Sequence, residues 1–211
     1  MQGWIFDLDG TLVESLPGIA ASLNRALILE GHQAYTHAEV RCFIGDGIEM
    51  LIRRALPNSS ESQRAQMLSS FRADYSETWQ QGTIPYVGII ELLRTLRHRG
   101  DKLAVLSNKP HAFTVRIVEA LFPGQFDIVL GQREGIPHKP DPAGLWEILR
   151  DPQWNCTESL LIGDSVMDVQ TAQAASITAV AVTCGYYDRS SLQATQPTHL
   201  VEDVGDLRGL M

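Results

Sequence analysis

A short uncharged apolar run, Gly3-Trp4-Ile5-Phe6, leads straight into Asp7-Leu8-Asp9-Gly10-Thr11, and no other junction constrains the chain as much. The run predicts a buried strand. On an extended backbone, residues two apart point to the same side, so Asp7 and Asp9 would crowd each other at the strand end. Gly10 permits the turn that separates them and lets backbone carbonyls face the site. Crowded carboxylates repel unless a cation or a shared proton relieves them. The pattern points to a hard cation, Mg²⁺, beside a carboxylate free to act as a nucleophile. The ordinary alternative is a plain strand-end turn, where Asp and Gly are common.

Further short β-branched or Leu-rich runs at residues 103–106, 127–130, 160–162, 179–182 and 199–201 predict strands. Helical stripes lie between them: Ile89, Leu92, Leu93 and Leu96 before Gly100, then Phe113, Ile117, Ala120 and Leu121 before Pro123. This alternation predicts an α/β protein with a parallel sheet covered on both faces. Residues 16–82 break the rhythm with helices only. Thr36-His37-Ala38-Glu39 and Ser60-Glu61-Ser62-Gln63 read as capping boxes, and Phe71, Tyr75 and Trp79 form a core-facing stripe. The expected division is an α/β core domain of residues 1–14 and 85–211 and an inserted α-helical domain of residues 15–84. The links at residues 14–17 and 81–83 look like paired hinges, with Gly82 able to absorb dihedral change.

At 211 residues the chain is long enough for that core and insertion. A net charge of -8 argues against a nucleic-acid or anionic-membrane partner. A phosphate ligand would then need a local positive site. Cys42, Cys156 and Cys184 suggest neither a disulfide framework nor a zinc site. No Lys or Arg precedes Arg25, which predicts no signal peptide, and the charge-free residues 169–187 are too polar to span a bilayer. The expectation is a cytoplasmic protein with no membrane partner.

Three more strand ends carry chemistry. Ser107-Asn108-Lys109-Pro110 brings a hydroxyl, an amide and a cation to a helix whose first turn Pro110 can occupy, a ready anion site. In His138-Lys139-Pro140-Asp141-Pro142, Asp141 reads as an N-cap with Pro142 at the first helical position. The chain has three lysines, and two of them, Lys109 and Lys139, sit at these junctions, where a compact charge could meet a phosphate. In Gly163-Asp164-Ser165-Val166-Met167-Asp168, the two acids are four apart, and the first turn of a helix would put both on one face. Beside Asp7 and Asp9 they read as metal ligands.

The ordered set of Asp7-x-Asp9-Gly10-Thr11, Ser107-Asn108, Lys139-Pro140 and Gly163-Asp164-Ser165-x-x-Asp168 resembles the haloacid dehalogenase-like phosphatases over the whole chain. The resemblance implies a Rossmann-like three-layer sheet with a helical cap inserted after the first motif. It implies Asp7 as nucleophile, forming an aspartyl-phosphate, and Asp9 as general acid and then general base. Thr11, Ser107, Asn108 and Lys139 would hold the phosphoryl oxygens. Asp7, the Asp9 backbone carbonyl, Asp164 and Asp168 would hold Mg²⁺.

The helical domain narrows the family. It has no lysine, unlike phosphonatases and β-phosphoglucomutases of the family, and the presence of Asp9 separates the chain from true dehalogenases. Val40-Arg41-Cys42-Phe43-Ile44-Gly45-Asp46-Gly47-Ile48 resembles the cap loop of phosphoglycolate phosphatases, and Gly185-Tyr186 resembles the same group. Gly45 and Gly47 would let that loop close on a small substrate, and Arg41 or Arg53 could clamp its carboxylate. Asp46 departs from what an anionic substrate prefers, and Arg53 and Arg54 could simply line a solvated face. The expected partner is a small phosphorylated metabolite, 2-phosphoglycolate first, with another phosphate ester or pyrophosphate next. A phosphotransferase or a degenerate binding module are the rivals, and a monomer or homodimer is expected.

Overall fold

A computed structural model describes residues 1–211. The chain begins with β1 (Gln2–Phe6) and leaves the α/β core at β2 (Val13–Glu14). Four helices follow: α1 (Leu16–Leu29), α2 (His37–Arg41), α3 (Ile48–Ala55) and α4 (Glu61–Thr78). The chain returns at β3 (Ile84–Pro85), which forms a two-stranded ribbon with β2. The alternating part then runs α5 (Ile89–His98), β4 (Lys102–Pro110), α6 (His111–Leu121), β5 (Ile128–Gln132) and α7 (Ala143–Arg150). It ends with β6 (Glu158–Gly163), α8 (Val166–Ala174), β7 (Thr178–Val182), α9 (Arg189–Ala194), β8 (His199–Val201) and a 3₁₀ turn over Val204–Leu210. Two compact units result, Met1–Val13 with Pro85–Met211, and Glu14–Ile84.

The first unit is built on a six-stranded sheet in the order β5-β4-β1-β6-β7-β8, every pairing parallel. Phe6 lies opposite Val105 on one side and Ile162 on the other, which puts the ends of β1, β4 and β6 in register. Strand order reverses direction between β1 and β6. In doubly wound sheets the crevice at the carboxyl ends of such strands is where ligands bind. Side-chain alternation explains why the strands read as continuous apolar runs. Trp4 and Phe6 share one face, their rings stacked 6.4 Å apart, and Phe126 meets Phe6 edge-on. Ile5 faces the other way, into a cluster with Leu106, Leu145, Ile148, Leu161, Val169 and Leu192. Both faces are buried, so neither can be polar.

In the second unit, α1 packs on α4 and α2, and α3 packs on α4. Both expected capping boxes form, Thr36 with Glu39 and Ser60 with Gln63. Phe71, Tyr75 and Trp79 are buried, with Phe71 and Tyr75 stacked at 5.4 Å. No helix of the protein is long and apolar enough to cross a membrane.

Local chemistry shifted four boundaries. The second core strand does not stop at Leu106 but continues through Pro110, whose fixed φ suits an extended chain. Pro110 therefore sits at the cap position of α6 rather than in its first turn. The face of α6 turned inward is Thr114, Ile117 and Val118, whereas Phe113 is half-buried and Ala120 exposed. Pro142, not Asp141, occupies the cap position of α7. Asp141 still accepts the Ala143 N–H at 2.9 Å, an Asx turn one residue early. Gly82 has φ +114, but the reason is packing against α1. Its carbonyl accepts the Gly18 N–H at 3.3 Å, and a Cβ there would lie 2.7 Å from the Gly18 nitrogen. Residues 81–83 are thus tied to α1, and the units divide at Ile84/Pro85, the expected position, and at Val13/Glu14, one residue before the expected one.

Truncating Phe71 removes a buried, stacked ring. Phe71→Ala should destabilise the helical unit by about 3–5 kcal/mol, read from urea unfolding followed by far-UV circular dichroism. A loss below about 1 kcal/mol would mean this stripe is not the unit's core.

Candidate active site

Asp7 follows β1 immediately. Its N–H donates to the Ile162 carbonyl at 2.8 Å, so the sheet ladder carries its backbone one step past the strand. The chain then turns tightly: the Leu8 carbonyl accepts from Thr11, Leu12 and Val13, and Gly10 adopts φ +86. That turn lets Asp164 approach, since a Cβ on Gly10 would lie 2.3 Å from an Asp164 carboxylate oxygen.

Asp164 follows β6, across the reversal point from Asp7. It lies one residue before the N-cap Ser165, so Asp164 and Asp168 are not paired on one turn of α8 as the spacing suggested. The chain reaches the site twice, once from the strand end and once from the third residue of the helix. Asp164 accepts the Thr11 hydroxyl at 3.2 Å and the Tyr186 N–H at 2.6 Å. Gly185 packs against it with no room for a side chain, a Cβ there lying 2.3 Å from the Asp164 Cβ.

Asp168 closes a capping box. One oxygen accepts the Ser165 N–H at 3.1 Å and its hydroxyl at 2.5 Å, while the Asp168 N–H donates back to Ser165 Oγ at 3.2 Å. Its other oxygen accepts from Lys139 Nζ at 2.5 Å. Lys139 also donates to Asp7 at 2.8 Å and to the Leu106 carbonyl at 3.0 Å, so all three ammonium hydrogens are engaged. Asn108 fixes the lysine's backbone with both ends of its amide: Nδ2 donates to the Lys139 carbonyl at 3.2 Å and Oδ1 accepts the Lys139 N–H at 2.8 Å.

Carboxylate oxygens of Asp7, Asp164 and Asp168 all lie within 4.8 Å of one another, and all three residues are buried. Burial raises the Asp7 pKa, Lys139 pulls it down, and Asp168 pushes it up again, leaving it at about 6. Asp164 is held well above the ordinary carboxylate range by burial and by the charges of Asp7 and Asp168, against the pull of Tyr186 and Thr11. For Lys139, burial works against the charge, but Asp168 and Asp7 outweigh it and hold the pKa above the usual lysine value. Three buried carboxylates thus share one ammonium, which contacts only Asp7 and Asp168 of the three, an excess of negative charge that a divalent cation would neutralise. The donors are hard oxygens, which suit such an ion. The residues present fit a divalent metal.

Asp9 does not crowd Asp7. Its side chain turns to Lys109, whose Nζ contacts both Asp9 oxygens, at 3.1 and 3.0 Å. Each carboxylate of the opening motif therefore has its own lysine, and the Asp9 carboxylate stays outside the three-carboxylate group. Ser107 is buried, and its Oγ accepts the Lys109 N–H at 3.3 Å.

The remaining candidates belong to the helical unit. Gly45 and Gly47 lie between α2 and α3 with φ +119 and +86, conformations that favour glycine. Arg41 is exposed at the end of α2, and Arg53 is exposed on α3. Its neighbour Arg54 is half-buried and pairs with Asp46 while donating to the Phe43 carbonyl at 2.9 Å. Of the two α3 arginines, only Arg53 lines a solvated face, and the acidic charge of Asp46 is matched by Arg54 of the following helix.

Sequence reasoning missed four of these groups: Lys109 as partner of Asp9, Ser165 as partner of Asp168, the Gly185-Tyr186 backbone behind Asp164, and Arg54 as clasp of its loop. Only Ser165 had a local signal, the Ser-x-x-Asp capping pattern.

A family model described as haloacid dehalogenase-like hydrolase matches residues 4–182. The chain is 32% identical over 218 residues to a protein of Pectobacterium atrosepticum named phosphoglycolate phosphatase, covering 100% of this chain and 92% of that one. It is 33% identical over 207 residues to a Pseudomonas putida protein of the same name, covering 95% of this chain and 76% of the relative. A solved structure described as a predicted phosphoglycolate phosphatase from Haemophilus somnus 129pt superposes with a TM-score of 0.92 at 28% identity, covering 98% of this chain and 96% of that one.

A divalent cation held by the three carboxylates should raise the unfolding temperature. At about 100 times its dissociation constant, the stabilisation is about 2.7 kcal/mol. Differential scanning calorimetry with MgCl₂ or MnCl₂ against EDTA should show the rise in the wild type and lose it in Asp164→Asn. Equal unfolding temperatures with and without metal would contradict the fit.

Proposed function

The chain belongs to the haloacid dehalogenase-like hydrolases, and on that premise we propose that it is a Mg²⁺-dependent phosphatase that hydrolyses 2-phosphoglycolate. The observation that carries the chemistry is the buried Asp7 carboxylate, held by Lys139 at the sheet's reversal point beside two further carboxylates. Asp7, the Asp9 backbone carbonyl, Asp164 and Asp168 would hold Mg²⁺. When bound, the ion supplies positive charge that keeps these carboxylates ionised and offsets the charge of the phosphate.

In the first step an Asp7 oxygen attacks phosphorus, a phosphorus–oxygen bond forms, and the bond to the alcohol breaks. Asp9 donates a proton to the leaving alkoxide, help that is typically worth about 10²–10⁴-fold. In the second step Asp9 takes a proton from water as its oxygen attacks the aspartyl-phosphate. Inorganic phosphate leaves and Asp7 is regenerated. Phosphoryl transfer depends mostly on positioning and charge stabilisation. Lys139 provides the charge, Asn108 sets its backbone, Thr11 steadies Asp164, and Ser107 lies at the same strand end.

The substrate reading rests on the names of the curated relatives and on the glycine-rich loop of the helical unit. As the cap, that unit would recognise the carboxylate of a two-carbon substrate through Arg41 or Arg53. The pairing of Arg54 with Asp46 offsets the acidic charge of that loop and so supports this reading.

Phosphate release should be measured across 2-phosphoglycolate, pyrophosphate, sugar phosphates and 4-nitrophenyl phosphate, with and without Mg²⁺. The expected outcome is Mg²⁺-dependent release with 2-phosphoglycolate preferred by about 10² in kcat/KM, a discrimination of about 2.7 kcal/mol. Flat activity across the panel would keep the chemistry and discard the substrate. Asp7→Asn should abolish turnover while circular dichroism stays native, and near-normal activity would remove Asp7 as the nucleophile.

A further inference from the structure

Lys109 stands next to the proposed chemistry with no role in it. It is the penultimate residue of β4, and its ammonium reaches back to Asp9, 100 residues earlier, to contact both carboxylate oxygens. The lysine side chain is 6% exposed and that of Asp9 13%, so solvent screens this pair far less than a surface pair. The base of the lysine is fixed as well. Its N–H donates to Ser107 Oγ at 3.3 Å, its carbonyl accepts the Thr114 hydroxyl at 3.1 Å, and Gly131 packs so closely that a Cβ there would lie 2.6 Å from that carbonyl. A long side chain anchored at its base loses less freedom when its tip is bound. Lys139 cannot serve Asp9, because its three donors are committed to Asp7, Asp168 and the Leu106 carbonyl.

We infer that Lys109 is a positioning residue that holds the Asp9 carboxyl group where it meets the leaving oxygen. The inference rests on the reading of Asp9 as general acid. As the Asp7–phosphorus bond forms and the phosphorus–alkoxide bond breaks, one proton moves from an Asp9 oxygen to the alkoxide. Lys109 spans both oxygens in the structure, and its contact with the oxygen that carries no proton fixes the plane of the group through that transfer. Asp9 sits beyond the strand, in a turn where its backbone bridges to Val13 and Lys109 contacts both oxygens of its side chain. Misplacement of a reacting group by about 1 Å can cost 10²-fold.

The test is kcat/KM across phosphomonoesters graded by leaving group, from 2-phosphoglycolate to 4-nitrophenyl phosphate, for the wild type, Lys109→Met, Lys109→Arg, Asp9→Asn and the Asp9→Asn/Lys109→Met double variant. This parameter covers steps up to alcohol release, so the later base role of Asp9 does not enter. Nitrophenolate leaves without a proton, whereas an alkoxide needs one. Lys109→Met should lower kcat/KM for the alkyl ester by about 10²-fold and for the nitrophenyl ester by less than about fivefold, the contrast expected when proton donation is lost. Lys109→Arg should recover most of the alkyl activity. Inhibition by inorganic phosphate should stay within about twofold, because binding to the phosphoryl site is a separate quantity from proton delivery. The double variant should match Asp9→Asn, since Lys109 acts through Asp9.

A loss in Lys109→Met that is equal across the panel, or a clear weakening of phosphate inhibition, would overturn the inference in favour of a structural or phosphate-binding lysine. If Lys109→Met does not fold, the double variant leaves no charge unpaired. Equality with Asp9→Asn then supports the inference, and a further loss overturns it. The premise is checked separately. An Asp9→Asn variant that loses both esters equally removes Asp9 as the acid and the inference with it. A selective loss in Asp9→Asn beside a uniform loss in Lys109→Met removes only the role of Lys109.

Discussion

The Lys139 ammonium is the interaction on which the site depends. Buried carboxylates are costly unless paired, and removing one partner of a buried ion pair costs about 3–5 kcal/mol because a charge is left without compensation. Here one buried cation touches Asp7 and Asp168 together, and the third carboxylate, Asp164, is stabilised instead by a hydroxyl and a backbone N–H. Three glycines make this density possible. At Gly10, Gly163 and Gly185 an added Cβ would fall within 2.4 Å of Asp164 or Asp168 atoms. The glycines are therefore part of the electrostatics: each lets a backbone stand where a side chain would hold the acids apart.

What the sequence made legible was local. The six core strands follow from runs of apolar residues, and the helical insertion from period and capping patterns spanning three to eight residues. The structure brings together the side chains of Asp7, Asp164, Asp168 and Lys139, which the sequence singled out, because a parallel sheet gathers its strand ends, and the helix starts that follow them, on one edge. The pairings were not legible. Lys139 meets Asp7 across 132 residues, Lys109 meets Asp9 across 100, and Thr11 meets Asp164 across 153. No periodicity records which lysine turns to which carboxylate. The choice depends on strand order and on the register at the end of β4, where the pairing with β5 shifts between Leu106 and Pro110.

Neighbouring residues of a strand point to opposite sides, which separates the duties of Asn108 and Lys109. Asn108 turns to the backbone of Lys139, and Lys109 turns to the side chain of Asp9. One strand end thus sets both the residue that neutralises the proposed nucleophile and the residue that orients the proposed acid. The two carboxylates of the opening motif, two residues apart in sequence, are kept apart by cations that are themselves thirty residues from each other in the chain.

The acids also differ in how far they are tied to the fold. Asp168 caps α8 through Ser165 as well as contacting Lys139, so a change there disturbs a helix start and the site together. A cap is worth about 0.5–2 kcal/mol. Asp7 caps nothing. Its backbone is carried by the sheet through the Ile162 carbonyl, and its side chain serves only the cluster. Neutralising it lowers the excess of negative charge while every strand and helix terminus keeps its partners. Chemistry and stability are therefore separable at Asp7 and joined at Asp168. The difference follows from where the chain supplies each carboxylate: one from a strand end that the ladder already holds, the other from a helix turn that needs it.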